Sequence, residues 1–255
     1  MKTVAHNMKF AGHRGTAPGV LGLLVLATST LAGCTPVTES WELDHARVIA
    51  VRLDPPSLGP GQQGKLTALV VSDDGTPMEI TPAIAIVPTQ DPVTNSAIKI
   101  ETGTWAVTAG DANAIAAARA AAMLPEMVPL RLKIGARFVW GDVKRDALKD
   151  VILGDIAASN PDAPQITLDD EAVAGASPSV LVRGKSYQFG LRNFAVDPTL
   201  AFQWAVSTGQ LTKSETPGPL LEIDDTAIAG PANLLVVVRN DRGGVAWATA
   251  SITIE

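Results

Sequence analysis

Residues 233–255, NLLVVVRNDRGGVAWATASITIE, decide the fold. Successive side chains of an extended chain point to opposite sides, so Leu234, Val236 and Val238 share one face. Asp241-Arg242-Gly243-Gly244 supplies turn chemistry, and VAWATASITIE runs back as a second strand. Upstream, KSYQFGLRN puts Tyr187, Phe189 and Leu191 on one face, and LAFQWAVSTG does the same for Phe202, Trp204 and Val206. ITL (166–168) and LLEI (220–223) are further short strands. About seven strands in ~90 residues is the count of an immunoglobulin-like sandwich.

The first half carries the same kind of text. ARVIAVRLD (46–54) is rich in β-branched residues and ends at Pro55-Pro56; SLGPGQQG follows as a loop. KLTALVVSD alternates, with Leu66, Ala68 and Val70 on one face, and Asp74-Gly75 marks a turn. AIAIV (83–87), AIKIE (97–101), PLRLKIGARFVW (129–140) and DALKDVIL (146–153) complete the strand set. One segment differs: Asp111 is a preferred N-cap for an alanine-rich helix near 111–124, stopped by Pro125. So short a helix is not stable alone. It either forms a recognition element between strands or closes an edge or end of the sandwich, and the second reading is preferred. GDIAASNPDAP (154–164) reads as a linker, short enough that its neighbours touch or hold a restricted angle. The fold class is therefore mainly β: two immunoglobulin-like β-sandwich domains in tandem, 45–153 and 165–255, the first with a short helical insertion. Leu53-Asp54 before Gly64-Lys65 and Leu168-Asp169 before Gly184-Lys185 hint at an internal repeat.

The amino terminus has a different character. Lys2, Lys9 and Arg14 are its charged residues, and an apolar core runs from Val20 to Ala27. A basic head, a short apolar core and small residues make a secretory signal. A membrane span needs about 20 apolar residues, which this core lacks. Met8 is an alternative start. Leu31-Ala32-Gly33-Cys34 resembles the lipobox of bacterial lipoproteins. That resemblance implies a signal peptide over 1–33, removed before Cys34. It implies a lipid-modified Cys34 thiol, a palmitate-type acyl anchor and a lipidated tether over 34–44. Each buried methylene contributes about 0.8 kcal/mol, so several chains hold essentially permanently. Thr35, where an aspartate would signal inner-membrane retention, implies the outer membrane of the cell envelope.

Tyr187-Gln188-Phe189, Phe202-Gln203-Trp204 and LLVVVRNDRGGVAWATASITI (234–254) resemble the bacterial immunoglobulin-like group that includes PKD-type and cadherin-like modules. Ala205-Val206-Ser207-Thr208-Gly209 replaces the acidic run of PKD-type modules, so only the sandwich class carries over. VIAVRLDPPSLGPGQQGKLTALV (48–70) looks like the opening domain of two-domain envelope lipoproteins.

The supply of reactive side chains narrows the function. Setting aside the leader's three basic groups leaves 17 basic against 26 acidic side chains, a net of −9. That excludes nucleic acid as a partner, since such binding rests on Lys and Arg neutralising phosphates. With Cys34 acylated and His45 the sole histidine after residue 13, neither a nucleophilic triad nor a His/Cys zinc site can be assembled readily. Asp73-Asp74, Asp169-Asp170-Glu171 and Asp224-Asp225 are turn acids or, alternatively, Ca²⁺ ligands. Gly243-Gly244 sits in a hairpin turn, not before a helix, and so forms no phosphate loop. Trp41 packs on the first domain or touches lipid. Trp204 and Trp247 read as core; Trp105 and Trp140 are the freer candidates for stacking on sugars, with core still preferred. No catalytic residue, cofactor or metal site is expected. The reading is a non-enzymatic, membrane-anchored binding or scaffolding lipoprotein whose partner is an envelope protein or glycan. A carbohydrate- or cell-wall-binding module is the alternative, and a carboxylate-dependent hydrolase the third.

Overall fold

The alternating apolar positions become four sheets in a computed structural model, which describes residues 41–255 except 89–90, 126, 155–157, 174–177, 193–194 and 196. The expected signal peptide, Cys34 and most of the expected tether lie outside the described residues, as do three residues of the expected linker. The chain is mainly β, 53% strand against 7% helix.

The first module contains β1 (Arg47–Asp54), β2 (Ser57–Leu58), β3 (Gln63–Val71), β4 (Pro77–Ile80), β5 (Ile84–Ile86), α1 (Pro92–Ser96), β6 (Ile98–Glu101), β7 (Ala106–Ala109), α2 (Ala112–Ala121), β8 (Leu130–Trp140) and β9 (Val143–Leu153). One sheet has the order β1-β3-β7-β6 with β4 also on β3, and the facing sheet has β2-β9-β8-β5. The second module contains β10 (Gln165–Leu168), β11 (Glu171–Ala172), β12 (Ser179–Leu181), β13 (Lys185–Arg192), β14 (Ala201–Val206), β15 (Gln210–Thr212), β16 (Leu220–Ile223), β17 (Gly230–Arg239) and β18 (Val245–Ile254). Its sheets are β11-β10-β13-β16-β15 and β12-β18-β17-β14.

The two modules share a plan. In each, the last two long strands form an antiparallel hairpin, and a short early strand runs parallel to the last one: β2 beside β9, β12 beside β18. The partner sheets follow as β1-β3-β7-β6 and β10-β13-β16-β15. This division of strands between two sheets is that of an immunoglobulin-like sandwich. The hinted repeat falls on equivalent strand pairs, β1 with β3 and β10 with β13.

Each module has its own core. Leu53, Leu66, Ala68, Val70, Ile134 and Phe138 help fill the first, and Phe189, Trp204, Leu221, Val236 and Ile252 the second. The indole Nε1 of Trp204 donates to the Thr216 carbonyl at 2.8 Å, so its burial leaves no stranded donor. Helix α2 starts at the Asp111 cap, whose carboxylate accepts from the Ala114 N–H at 2.8 Å. It buries Ile115 and Ala118 in the first core and covers that core, rather than standing out as a recognition element. Gly110 lets α1 and α2 approach: a Cβ there would lie 2.6 Å from the Ser96 carbonyl oxygen.

A third apolar cluster joins the modules. Leu43, Ala50, Leu69 and Val71 meet Ala205, Leu235, Val237 and Val245. Strands β3 and β17 are thus buried on both faces, each face in a different core. The continuous runs ALVV (68–71) and LLVVV (234–238) have this cause, since a strand covered on both sides reads as uninterrupted apolar text. The four sheets consequently stack as one body, with β1-β3-β7-β6 and β12-β18-β17-β14 in the middle. Trp41 and Leu43, read from sequence as part of a tether, are docked. The Val206 N–H donates to the Trp41 carbonyl at 2.8 Å, and the Leu43 N–H to the Val206 carbonyl at 3.0 Å. Trp41 packs against the second core, which corrects its expected place on the first domain.

Polar ties reinforce the joint. A bulge in β1 between Val48 and Ala50 frees the Ile49 carbonyl, which accepts from Arg239 Nη2 at 3.1 Å. Asn160 in the linker donates from Nδ2 to the Leu53 carbonyl (3.1 Å), and its Oδ1 accepts from the Val245 N–H (2.9 Å). One side chain thus holds the end of β1 to the start of β18. The Arg52 guanidinium lies 4.3 Å from the ring centre of Trp247.

Candidate functional site

Strand β8 alternates cleanly: Leu130, Leu132, Ile134, Ala136, Phe138 and Trp140 point inward, and Arg131, Lys133, Gly135, Arg137 and Val139 point outward. Gly135 is the exception in that outer row. It pairs with Ile86 of β5 on one side and Leu148 of β9 on the other. Lacking a side chain, it leaves a slot of about 410 Å³ between them, lined by Ile84, Ile86, Ala136, Ala147 and Leu148. Ile84 is 52% exposed, Ile86 57% and Leu148 65%, so three large aliphatic side chains meet water around one notch. Contiguous exposed apolar surface of this kind marks interaction sites.

The rim is charged but self-neutralising. Arg137 donates to both carboxylate oxygens of Asp146, from Nε at 2.7 Å and from Nη2 at 2.8 Å. This bidentate contact holds Asp146 below the usual carboxylate range and raises the guanidinium. Lys133 and Asp150 pair at 2.7 Å in the next but one row. Strand β5 is the sheet edge, flanked by Pro82 and Pro88, which limit pairing with a further strand. The slot offers shape and apolar contact, with no nucleophile or free general acid in its wall.

The residues singled out in the sequence are dispersed. His45 is exposed and bonded to Asp44 Oδ1 at 2.5 Å, a contact that lowers the Asp44 carboxyl. Asp73 accepts from the Ala46 N–H, Asp74 from the Thr76 N–H, and Asp224 from the Thr226 N–H and hydroxyl. The Asp74 and Asp224 bonds stabilise turns, the Asp73 bond ties its turn to the start of the first module, and the bonds from Ser72 and Thr226 keep the Asp74 and Asp224 carboxyls low. Asp169 and Asp170 both have positive φ (49° and 65°), as a two-residue hairpin turn between β10 and β11 requires. Glu171 opens β11, and Asp225 lies over Gly184. Among the described residues, no three His, Cys, Asp or Glu side chains gather to hold a metal ion. Gly243 and Gly244 lie in the β17–β18 hairpin turn. Trp105 and Trp140 are each 9% exposed within the first core, so neither presents a ring to a sugar. Trp204 is fully buried, and Trp247 packs on the cluster between the modules. The slot is not visible in the sequence, where Ile84 and Ile86 stand only as part of a short strand. The available signal was Gly135 opposite them in an otherwise large-residue strand.

No protein-family model matches the sequence, and no curated protein matches it. Solved structures with partial similarity include a nucleoside hydrolase-related hypothetical protein from Saccharophagus degradans associated with carbohydrate metabolism, 17% identical with a TM-score of 0.28 over 38% of this chain and 26% of that one. The human desmocollin-1 ectodomain is 10% identical with a TM-score of 0.25, over 83% of this chain and 37% of that one. A protocadherin gammaB7 EC3-6 cis-dimer structure is 13% identical with a TM-score of 0.24, over 80% and 52%. This chain spans between about a quarter and a half of the length of those structures. The fold assignment rests on the strand order given above. Among the described residues, no helix is long and apolar enough to cross a membrane.

Proposed function

We propose that this chain is a lipid-anchored lipoprotein of the bacterial cell envelope, held at the outer membrane through Cys34. It acts as a non-enzymatic binding or scaffolding protein without a cofactor. The observation that carries the binding role is the apolar slot at Gly135, walled by Ile84, Ile86 and Leu148 on the outer face of the first module. The stacked sheets support a scaffolding role, because a body with a buried joint presents that face at a fixed angle. The slot suits an apolar side chain of an envelope partner protein, and the partner gains by removing three exposed aliphatic groups from water.

Two experiments test this reading. A palmitate analogue fed to cells should label the wild-type chain and not Cys34→Ser; labelling of the variant refutes the anchor. A photo-crosslinking residue at position 86 should give a discrete adduct in cells. Gly135→Val puts a side chain into the notch; its Cβ has ordinary contact distances of 3.8 Å to Ile86 and Leu148, and its methyls occupy the space between them. It should abolish the adduct while the fold persists. An adduct that survives Gly135→Val, or none in the wild type, refutes the slot.

A further inference from the structure

The β17–β18 turn lies over the edge of the first module, where Ile152 Cδ1 is 3.8 Å from the Cβ position of Gly243. A cleft of about 370 Å³ opens there between β1, β8, β9 and the turn. That volume falls within the ~300–1,000 Å³ of small-molecule sites. Three cations line it, Arg131, Lys149 and Arg239, drawn from both modules. Among the described residues none of the three has a carboxylate within ion-pair distance. Each instead donates to a carbonyl across the joint: Arg131 to Asp241 at 3.5 Å, Lys149 to Gly243 at 2.6 Å and Arg239 to Ile49 at 3.1 Å. Arg239 also donates to Gln203 Oε1 at 3.0 Å. Neither acid in the lining forms an ion pair with them, although the charge of Asp150 partly offsets that of Lys149. Asp150 is engaged by Lys133 at 2.7 Å, and Asp241 offers its backbone carbonyl.

This concentration of positive charge stands in a chain of net charge −6. Lys149 is only 7% exposed, and its ammonium has three N–H donors for the single carbonyl it reaches. A buried cation with unspent donors beside a second cation is costly unless an anion completes the set. We propose that the cleft between the modules is a binding site for a small oxyanion, a phosphate or a sugar carboxylate, held by Arg131, Lys149 and Arg239. Burial pushes Lys149 down to about 8; the charge of Asp150 works against that shift, repulsion from Arg239 adds to it, and an anion among the three groups would reverse it. The cleft shares Ala147 and Leu148 with the Gly135 slot, but the proposal rests on its cations, and adducts at position 86 do not bear on it.

Thermal unfolding and titration calorimetry of the full chain in detergent test the proposal, with inorganic phosphate, glucuronate and chloride at matched ionic strength. Phosphate or glucuronate should raise the midpoint saturably above chloride; whichever does so identifies the source of the oxyanion. Arg131→Gln, at an exposed position, should weaken binding, measured against its own anion-free midpoint, about tenfold, the loss expected for one charge-assisted hydrogen bond. Lys149→Met should weaken binding at least as much, and Lys144→Gln, exposed on the same strand, should not. A midpoint that follows ionic strength alone overturns the site. So does unchanged affinity in both Arg131→Gln and Lys149→Met.

Discussion

Replacing Lys149 by methionine should change how stability depends on pH. Met keeps the apolar stem that crosses the joint and removes the ammonium. In the folded chain Lys149 titrates at about 8, chiefly through burial, against an ordinary value of 10.5. Below about 8 both states hold the proton, and the folded state bears the cost of a buried charge. Between about 8 and 10.5 the unfolded chain keeps the proton and the folded chain releases it, so stability rises with pH across that window. At 1.36 kcal/mol per pH unit, the gain reaches about 3 kcal/mol by pH 10.5. Other titrating groups act alike in both proteins and cancel in the difference. Urea unfolding of wild type and Lys149→Met in phosphate-free buffer, from pH 7 to pH 10.5, measures that difference. The wild type should gain about 3 kcal/mol relative to the variant over this range. A difference that stays flat, or that falls with pH, shows that Lys149 is not buried at the joint in its charged form.

Three further substitutions probe the packing, each read by chemical denaturation. Gly75→Ala should cost about 1–3 kcal/mol, because φ is +75° and a Cβ would lie 2.8 Å from both the Leu43 carbonyl oxygen and Ser207 Cβ. Trp204→Ala should cost about 3–5 kcal/mol, since it empties the middle of the second core and strands the Thr216 carbonyl. Asp111→Ala should cost about 1 kcal/mol, the worth of the cap on α2, with helical circular dichroism falling in step.

Much of the architecture was legible because its signals are local. Asp241 to Gly244 turn the chain between two β-branched arms, and Asp111 announces α2 ahead of an alanine run. Strands β2, β11 and β15, two or three residues long, carry no period that a sequence can reveal. The joint was hidden for a different reason. Leu66, Ala68 and Val70 name one buried face of β3, but Thr67, Leu69 and Val71 are equally buried, and alternation cannot say what lies against the second face. The uninterrupted VVV of β17 held that message. Lys149 sits in DALKDVIL, whose text gives a strand but no cover for a lysine, yet the turn of the second module covers it. The functional surfaces were least legible. Ile84 and Ile86 have the letters of core residues, and only the pairing of Gly135 between Ile86 and Leu148 places them around a notch. Arg131, Lys149 and Arg239 are separated by up to about a hundred positions, so only the docked modules bring them together.

The central claim is that the cluster of Leu69, Val71, Leu235 and Val237 fuses two sandwiches into one cooperative body. Differential scanning calorimetry of the full chain tests it most directly. One endotherm whose calorimetric and van't Hoff enthalpies agree is the expected result, splitting into two when Val237→Asp places a charge in the joint. Two resolved transitions in the wild-type chain would contradict it.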